Sequence, residues 1–193
     1  GWAPLLRDPL QIQQIKQYFT DVGADNFIFF WDVRQNKVIQ KILAHPEPLT
    51  GLDVSFDSSL VATSAYDGYV RLWDLHRATC IKTMVAECGS TSAVSAIKLT
   101  ENAKYIFIAN MRVAGLYDLH GNLVKSYLGH KNEQACIDLC VASDINFKGK
   151  RDLVLTGDEE GRLVSWDINS QKVVTSKKLS SAKRSIPEYE SNS

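Results

Sequence analysis

The feature that most restricts how this chain can fold is a recurring pair, an aromatic residue followed by aspartate, at Trp31-Asp32, Trp73-Asp74, Tyr117-Asp118 and Trp166-Asp167. The steps between successive pairs are 42, 44 and 49 residues. A unit of that length is a supersecondary module that buries its faces against copies of itself. Its clearest copy is YDGYVRLWDL, residues 66 to 75. Asp67-Gly68 is a tight-turn signal, and the alternating residues after it read as a strand. Val70 and Leu72 point to one side of that strand and Tyr69 and Trp73 to the other, so both sides need cover from water.

Four short strands closing on a Trp-Asp pair make the blade of a β-propeller. The second copy reads as strands 49–56, 60–65, 69–74 and 80–85, the third as 94–99, 104–109, 113–118 and 123–128, and the last as 135–142, 152–156, 163–167 and 172–176. The loop 145–151 absorbs the longer final step. The first copy, from residue 20, has a turn at Asp25-Asn26, a strand to Trp31 and an outer strand 37–43, and lacks an innermost strand. About three and a half blades fall short of the four to eight that close a ring. The expected fold is therefore all-β, an open arc of propeller blades, and the chain reads as a portion of a larger ring. Residues 1–19 lie outside the repeat: Asp8 is a helix N-cap before Pro9, and Leu10, Ile12, Ile15 and Phe19 mark one side of a short helix over 9–19. Residues 177–193 are poor in apolar side chains and read as a disordered tail, leaving 20–176 as the propeller region.

Composition narrows the function classes. Among 193 residues, 22 Lys and Arg balance 22 Asp and Glu, so no long-range field favours nucleic acid or an anionic membrane. No run approaches a membrane span, and GWAPLLRDPL lacks the pattern of a signal peptide, which points to an intracellular compartment. The four cysteines fit that reading. Cys80 and Cys88 bracket a strand end, while Cys136 and Cys140 share one face of a strand and are expected as buried core thiols. His130, Cys136 and Cys140 lack a fourth ligand at metal-site spacing, so neither a metal nor a cofactor is expected. There is no phosphate-cradling glycine loop, no His-Glu-x-x-His and no Gly-x-Ser-x-Gly elbow. Glu159-Glu160 are adjacent on the chain and face opposite ways, and His76 and His120 follow strand ends as exposed loop residues. The chain reads as a binding surface, with no enzymatic chemistry.

One polar constellation stands out. In the second blade His45, Thr63, Asp67 and Trp73 sit at offsets that bring them together on a four-stranded sheet: indole N–H to threonine hydroxyl, hydroxyl to histidine, histidine to aspartate. A buried network holding a blade together is the expected role, because buried polar groups are normally paired. The fourth blade repeats it in part as His130, Thr156 and Trp166, with Glu160 at the aspartate position. The third has Met111 there and Tyr117 for tryptophan.

These repeats resemble the WD-repeat family. Within it, residues 20 to 176 are similar to the middle blades of the WD-repeat subunit of trithorax-type, or COMPASS-type, histone lysine methyltransferase complexes. The segments carrying that resemblance are HPEPLTGLDVSFDSSLVATSAYDGYVRLWD, residues 45 to 74, and GHKNEQAC, residues 129 to 136. The resemblance implies a nuclear scaffold with two peptide-binding places, its partners being other complex subunits or arginine-containing peptides such as a histone tail. The first place is the central opening, where the family stacks a guanidinium between aromatic rings. The matching positions are Thr50, Tyr66, Ser95 and Cys136, while Ala24, Ala96 and Asp138 replace family phenylalanines; Asp138 can pair with a guanidinium instead. The second is a groove holding an acidic and apolar segment of a partner subunit, matched by Asn102, Tyr105, Leu116 and Lys125. Tyr105 would be the anchor, Leu116 the floor and Lys125 the charge. An alternative comes from Trp31-Asp32-Val33-Arg34, which matches the Trp-Asp-x-Arg box of WD-repeat substrate receptors of cullin-type ubiquitin ligases and would suit a cytoplasmic protein as well.

Overall fold

A computed structural model describes residues 18–22, 26–32, 34–85, 92–111, 113–132, 137–144 and 151–178. They form four antiparallel sheets, each built from strands consecutive in the chain. The first contains β1 (Tyr18–Val22), β2 (Phe27–Asp32) and β3 (Lys37–Leu43). The second contains β4 (Leu49–Val54), β5 (Leu60–Ala65), β6 (Tyr69–Asp74) and β7 (Thr79–Val85). The third contains β8 (Val94–Leu99), β9 (Tyr105–Asn110), β10 (Ala114–Asp118) and β11 (Leu123–Tyr127). The fourth contains β12 (Leu139–Asp144), β13 (Arg151–Gly157), β14 (Arg162–Asp167) and β15 (Val173–Lys178).

The turn chemistry explains why the strands stop where they do. Gly68 has φ of +80° and Gly161 of +72°, values open to glycine at little steric cost, and each ends the tight turn between the second and third strands of its sheet. The aspartate of every Trp-Asp or Tyr-Asp pair caps the turn that follows. Asp32 accepts the Arg34 and Gln35 amides at 2.8 and 3.1 Å, and Asp74 those of His76 and Arg77, both at 2.9 Å. Asp118 accepts the His120 and Asn122 amides, both at 2.9 Å, and Asp167 those of Asn169 and Ser170 at 3.0 and 2.6 Å. This is the Asx-turn device, repeated four times.

Each sheet packs its broad faces on its neighbours, which is what β6 requires. Trp73 joins Ile28, Phe30, Ala44 and Val61 between the first and second sheets. Val70 and Leu72, on the other side of the same strand, join Val94, Ile97, Ile106, Ile108 and Tyr117 between the second and third. Phe107, Leu116 and Tyr127 meet Val154, Val164 and Trp166 between the third and fourth. The innermost strands β4, β8 and β12 lie beside one another in that order, with β1 beside β4. Asp53 clips two of them together: its carboxylate accepts Lys98 Nζ–H and the Leu99 amide, each at 2.7 Å. No hydrophobic cluster links the first sheet to the fourth among the described residues. The fold is an all-β, partial propeller, an open arc.

In every sheet the pairing of the last two strands slips register at the aromatic of the repeat: between Phe30 and Trp31, Leu72 and Trp73, Leu116 and Tyr117, and Ser165 and Trp166. The extra residue lies each time on the outermost strand, Ile39, Ile81, Val124 or Val174, and a β-bulge at that fixed position bends the outermost strand and increases local twist.

Three expectations need correction. Tyr18 and Phe19, placed at the end of a helix, open β1 instead, where Phe19 pairs with Trp31 and Asp21 with Phe29. Aromatic and β-branched residues fit that pleated surface, and available cross-strand partners outweigh a sparse helical stripe; residues 9–17 lie outside the described residues. Lys177 and Lys178 belong to β15, not to a tail, and 179–193 lie outside the described residues. Cys140 is exposed, not buried, and Cys80 is exposed as well. Cys80 is on an outermost strand, and Cys140 is on a sheet face with no described sheet beyond it.

Candidate functional site

The second sheet assembles the predicted constellation. His45, in the stretch entering β4, meets Asp67 in the β5–β6 turn at 2.9 Å through Nδ1, and Thr63 of β5 at 3.0 Å through Nε2. Trp73 of β6 donates its indole N–H to the same threonine oxygen at 2.9 Å. A carboxylate only accepts, so Nδ1 carries the proton and Nε2 accepts from the Thr63 hydroxyl. Burial lowers the His45 pKa below its ordinary value, against the opposing pull of Asp67. His45 and Thr63 have no solvent-exposed surface, so the hydroxyl is unavailable to a substrate. The constellation resembles a hydrolase triad in membership only, and its geometry ties strands together. Asp67→Ala is expected to cost about 1–3 kcal/mol, because it orphans a buried donor. Urea denaturation of the variant measures this, and a loss near zero would deny the network any part in stability.

The fourth sheet does not repeat the arrangement. Trp166 donates to the Leu128 carbonyl and Thr156 to the Asp138 carbonyl, both at 2.9 Å, and His130 stands edge-on to Trp166 with ring centres 5.7 Å apart. Glu160, expected to take the aspartate's part, is exposed and paired with Lys131 at 2.8 Å and Arg162 at 3.3 Å. A carboxylate with basic neighbours and open water on its side gains nothing by entering the seam. In the third sheet Met111 is half-buried, and Tyr117 is buried against the second sheet.

The positions matched to the central opening are scattered in character. Thr50 Oγ1 lies 3.0 Å from Ser64 Oγ on the neighbouring strand, and Tyr66 is 51% exposed. Ser95 is buried with no hydrogen-bond partner for its hydroxyl. Asp138 accepts the Leu139 amide at 2.9 Å, and Ala96 packs in the seam between the third and fourth sheets. Cys136 and Ala24 lie outside the described residues. Among the described residues no cluster of three or more His, Cys, Asp or Glu is arranged to hold a metal ion.

The groove positions cluster along the third sheet. Asn102 Oδ1 caps its turn, accepting from the Thr100 hydroxyl at 2.8 Å and the Lys104 amide at 3.1 Å, and Tyr105 beside it is 36% exposed. Leu116, expected as an open floor, is buried in the seam with the fourth sheet. Lys125 is also committed: Nζ donates to the Ile168 carbonyl at 2.9 Å and the Asn169 carbonyl at 3.5 Å. Tyr127, missed in the sequence, adds a hydroxyl donor to the same Ile168 carbonyl at 3.1 Å, its pKa pushed up to about 12 by burial and by Asp167. Asp53 was missed too, although an aspartate alternating with Leu52 and Val54 on an innermost strand is the signal that could have found it. At the ligase box Trp31 is half-buried, the Asp32 carboxylate is taken up by its own turn, and Arg34 is exposed.

A profile of the WD domain, G-beta repeat, matches residues 36–74, which span β3 to the end of β6. Residues 36–74 thus match one WD repeat, and the four sheets make a partial propeller of the kind such repeats build. The chain is 26% identical to the COMPASS component SWD3 of Saccharomyces cerevisiae over 162 residues, 79% of this chain and 51% of that protein. It is 31% identical to autophagy-related protein 16 of Arabidopsis thaliana over 119 residues, 60% of the chain and 23% of that protein. It is 24% identical to the target of rapamycin complex subunit LST8 of Saccharomyces cerevisiae over 60% of the chain and 36% of that protein. The chain thus spans about half the length of SWD3 and less of the other two.

Proposed function

We propose that this chain is a non-enzymatic scaffold of a histone lysine methyltransferase complex, acting in the nucleus. The observation that carries the reading is the similarity to a COMPASS component across 79% of the chain. The partner-facing surface runs across the third sheet, where Tyr105 at the start of β9 offers an exposed aromatic anchor and Lys125 of β11 a cation at the seam. A partner segment that is acidic and apolar matches that pair: its carboxylate competes with the Ile168 and Asn169 carbonyls for the ammonium, a charge-assisted exchange. The central opening is the weaker place, since Ala96 is packed in a seam where an aromatic clamp would need to stand free.

Recovery of methyltransferase subunits with the tagged chain tests the assignment. Tyr105→Ala is expected to lower it about 10-fold or more, as removal of an anchor does, and Lys125→Glu is expected to lower it further by reversing the charge. Unchanged recovery with both variants removes this surface. The exposed Arg34 favours a second reading, substrate receptor of a cullin-type ubiquitin ligase. Co-purification of a ligase adaptor lost on Arg34→Ala, with no methyltransferase subunit present, would establish it instead.

A further inference from the structure

The seam between the first and second sheets is closed near the inner strands by Ile28, Phe30, Val61 and Trp73, and opens toward the outermost strands β3 and β7, most of whose residues are exposed. Alternation and strand pairing give the walls of this cleft. On β6, Arg71 and Tyr69 share the Trp73 side, which faces the first sheet, and Thr83 and Val85 of β7 are their cross-strand partners on that side. Opposite them, Gln40 and Ile42 of β3 pair with Phe30 and Ile28 and share their face. Tyr69 is 37% and Val85 53% exposed, so apolar surface lines the open part of the cleft.

Arg71 stands in this cleft without a counter-ion. One of its terminal N–H groups, on Nη1, donates to the Ala44 carbonyl just past β3, and its Nε–H is buried with no acceptor. No ion pair among the described residues includes Arg71. The Asp67 carboxylate, four residues earlier, is taken up by His45 Nδ1 and the Tyr69 amide. The flanking strands add charge of the same sign: β3 and β7 carry Lys37, Lys41 and Lys82 and neither aspartate nor glutamate, in a chain whose 22 basic and 22 acidic residues balance. Lys41 lies over the Phe27 ring on the far face of β3, 3.8 Å from its centre, and Lys82 pairs with Leu72 on the far face of β7. Arg71 is therefore the cation that faces the inside of the cleft, with the lysines contributing a field from outside it.

We propose that the cleft between β3 and β7 binds an extended acidic segment of a partner protein, its carboxylate side chain pairing with Arg71 and an aliphatic side chain two residues away packing on Tyr69 and Val85. A carboxylate supplies both the counter-charge and the acceptor that the Nε–H lacks, in the two-pronged geometry a guanidinium presents. Arg71 is half-buried, so its side chain has room at the mouth to turn that donor toward the acceptor. The spacing follows from strand geometry. Arg71 and Tyr69 are two residues apart on β6, about 6.6 Å, and side chains two apart on an extended segment point the same way at the same interval. One cation between apolar walls suits a peptide, whereas a nucleic acid needs a row of cations turned to its phosphates. The cleft lies on a different seam from the Tyr105 and Lys125 surface and does not depend on it.

NMR titration of the full chain, labelled with nitrogen-15, tests this with the peptide Gly-Ser-Ser-Leu-Ser-Glu-Ser-Ser-Gly. The Arg71 Nε–H resonance, identified by its loss in Arg71→Gln, is expected to shift and to saturate below about 1 mM peptide. Exchanging the peptide's Glu for Gln is expected to weaken binding about 10-fold, and exchanging its Leu for Ser about 3-fold. These readings use the parent chain and are independent of variant folding. Arg71→Gln, with circular dichroism like the parent's, is expected to bind the Glu peptide about 10-fold more weakly and to tell Glu from Gln no longer; Lys82→Gln, on the far face, leaves affinity within about 2-fold. No saturation by 1 mM overturns the proposal, whether the cleft is empty or filled by the chain's own segments. So does an Arg71 resonance that stays in place while the peptide binds, or an equal Glu-to-Gln loss in parent and Arg71→Gln. Tighter, Arg71-dependent binding of a twelve-nucleotide oligouridylate overturns it in favour of nucleic acid.

Discussion

Replacing Trp73 or Trp166 with alanine is expected to destabilise the chain by about 3–5 kcal/mol, while the same change at Trp31 costs about 1–2 kcal/mol. The three indoles share a repeat position and differ in what lies beyond them. Trp73 and Trp166 are enclosed between sheets, and truncation leaves a cavity between two rigid faces that cannot close on it. Trp31 is half-buried on the first sheet, with no described sheet beyond it. Urea denaturation of the dilute chain, read by intrinsic fluorescence and by circular dichroism, gives the ordering. A Trp31→Ala cost equal to that of Trp73→Ala would show the first sheet covered as fully as the second.

A second large effect is expected from pH. His45 and His130 are buried, and burial lowers the pKa of both below the usual histidine value of 6.5. Above 6.5 both rings are neutral in the folded and unfolded chain, and they contribute no pH dependence. As pH falls below 6.5 the unfolded chain takes up protons that the folded chain refuses, so stability falls with pH. Each histidine contributes a slope approaching about 1.4 kcal/mol per pH unit until the pH reaches its lowered folded value. The carboxylates held below their usual range, among them Asp57, Asp74, Asp118, Asp158 and Glu160, act only at lower pH, so a window from 6.5 to 5 isolates the imidazoles. Denaturation midpoints across that window are expected to drop steadily, and His45→Gln to remove about half the slope. A flat profile would mean that both rings accept a proton in place.

What could be read from the sequence, and what could not, divides along a physical line. The strands, their blade assignment and the meeting of His45, Thr63, Asp67 and Trp73 were legible because repeat spacing and two-residue alternation constrain them directly. The position of Glu160 in the repeat matched an aspartate, yet its side chain went to Lys131 and Arg162, and only three-dimensional neighbours decide that competition. Lys125 likewise looked like an exposed cation until the Ile168 carbonyl appeared beside it from a strand end 43 residues later. Cys140 shows the limit of residue statistics: burial follows the place of a sheet in the arc more than it follows residue type. The stripe of Leu10, Ile12, Ile15 and Phe19 shows another, because its last member found a cross-strand partner in Trp31.

The slipped register at each repeat aromatic bears on how the protein avoids clumping. Outermost strands β3, β7 and β15 carry Ile39, Ile81 and Val173 at 50% exposure or more, and a straight border of that kind invites sideways stacking into fibrils. The kink beside Trp31, Trp73 and Trp166 coils each border out of plane. A would-be neighbour then finds hydrogen-bonding groups for only a few residues before the two ribbons diverge.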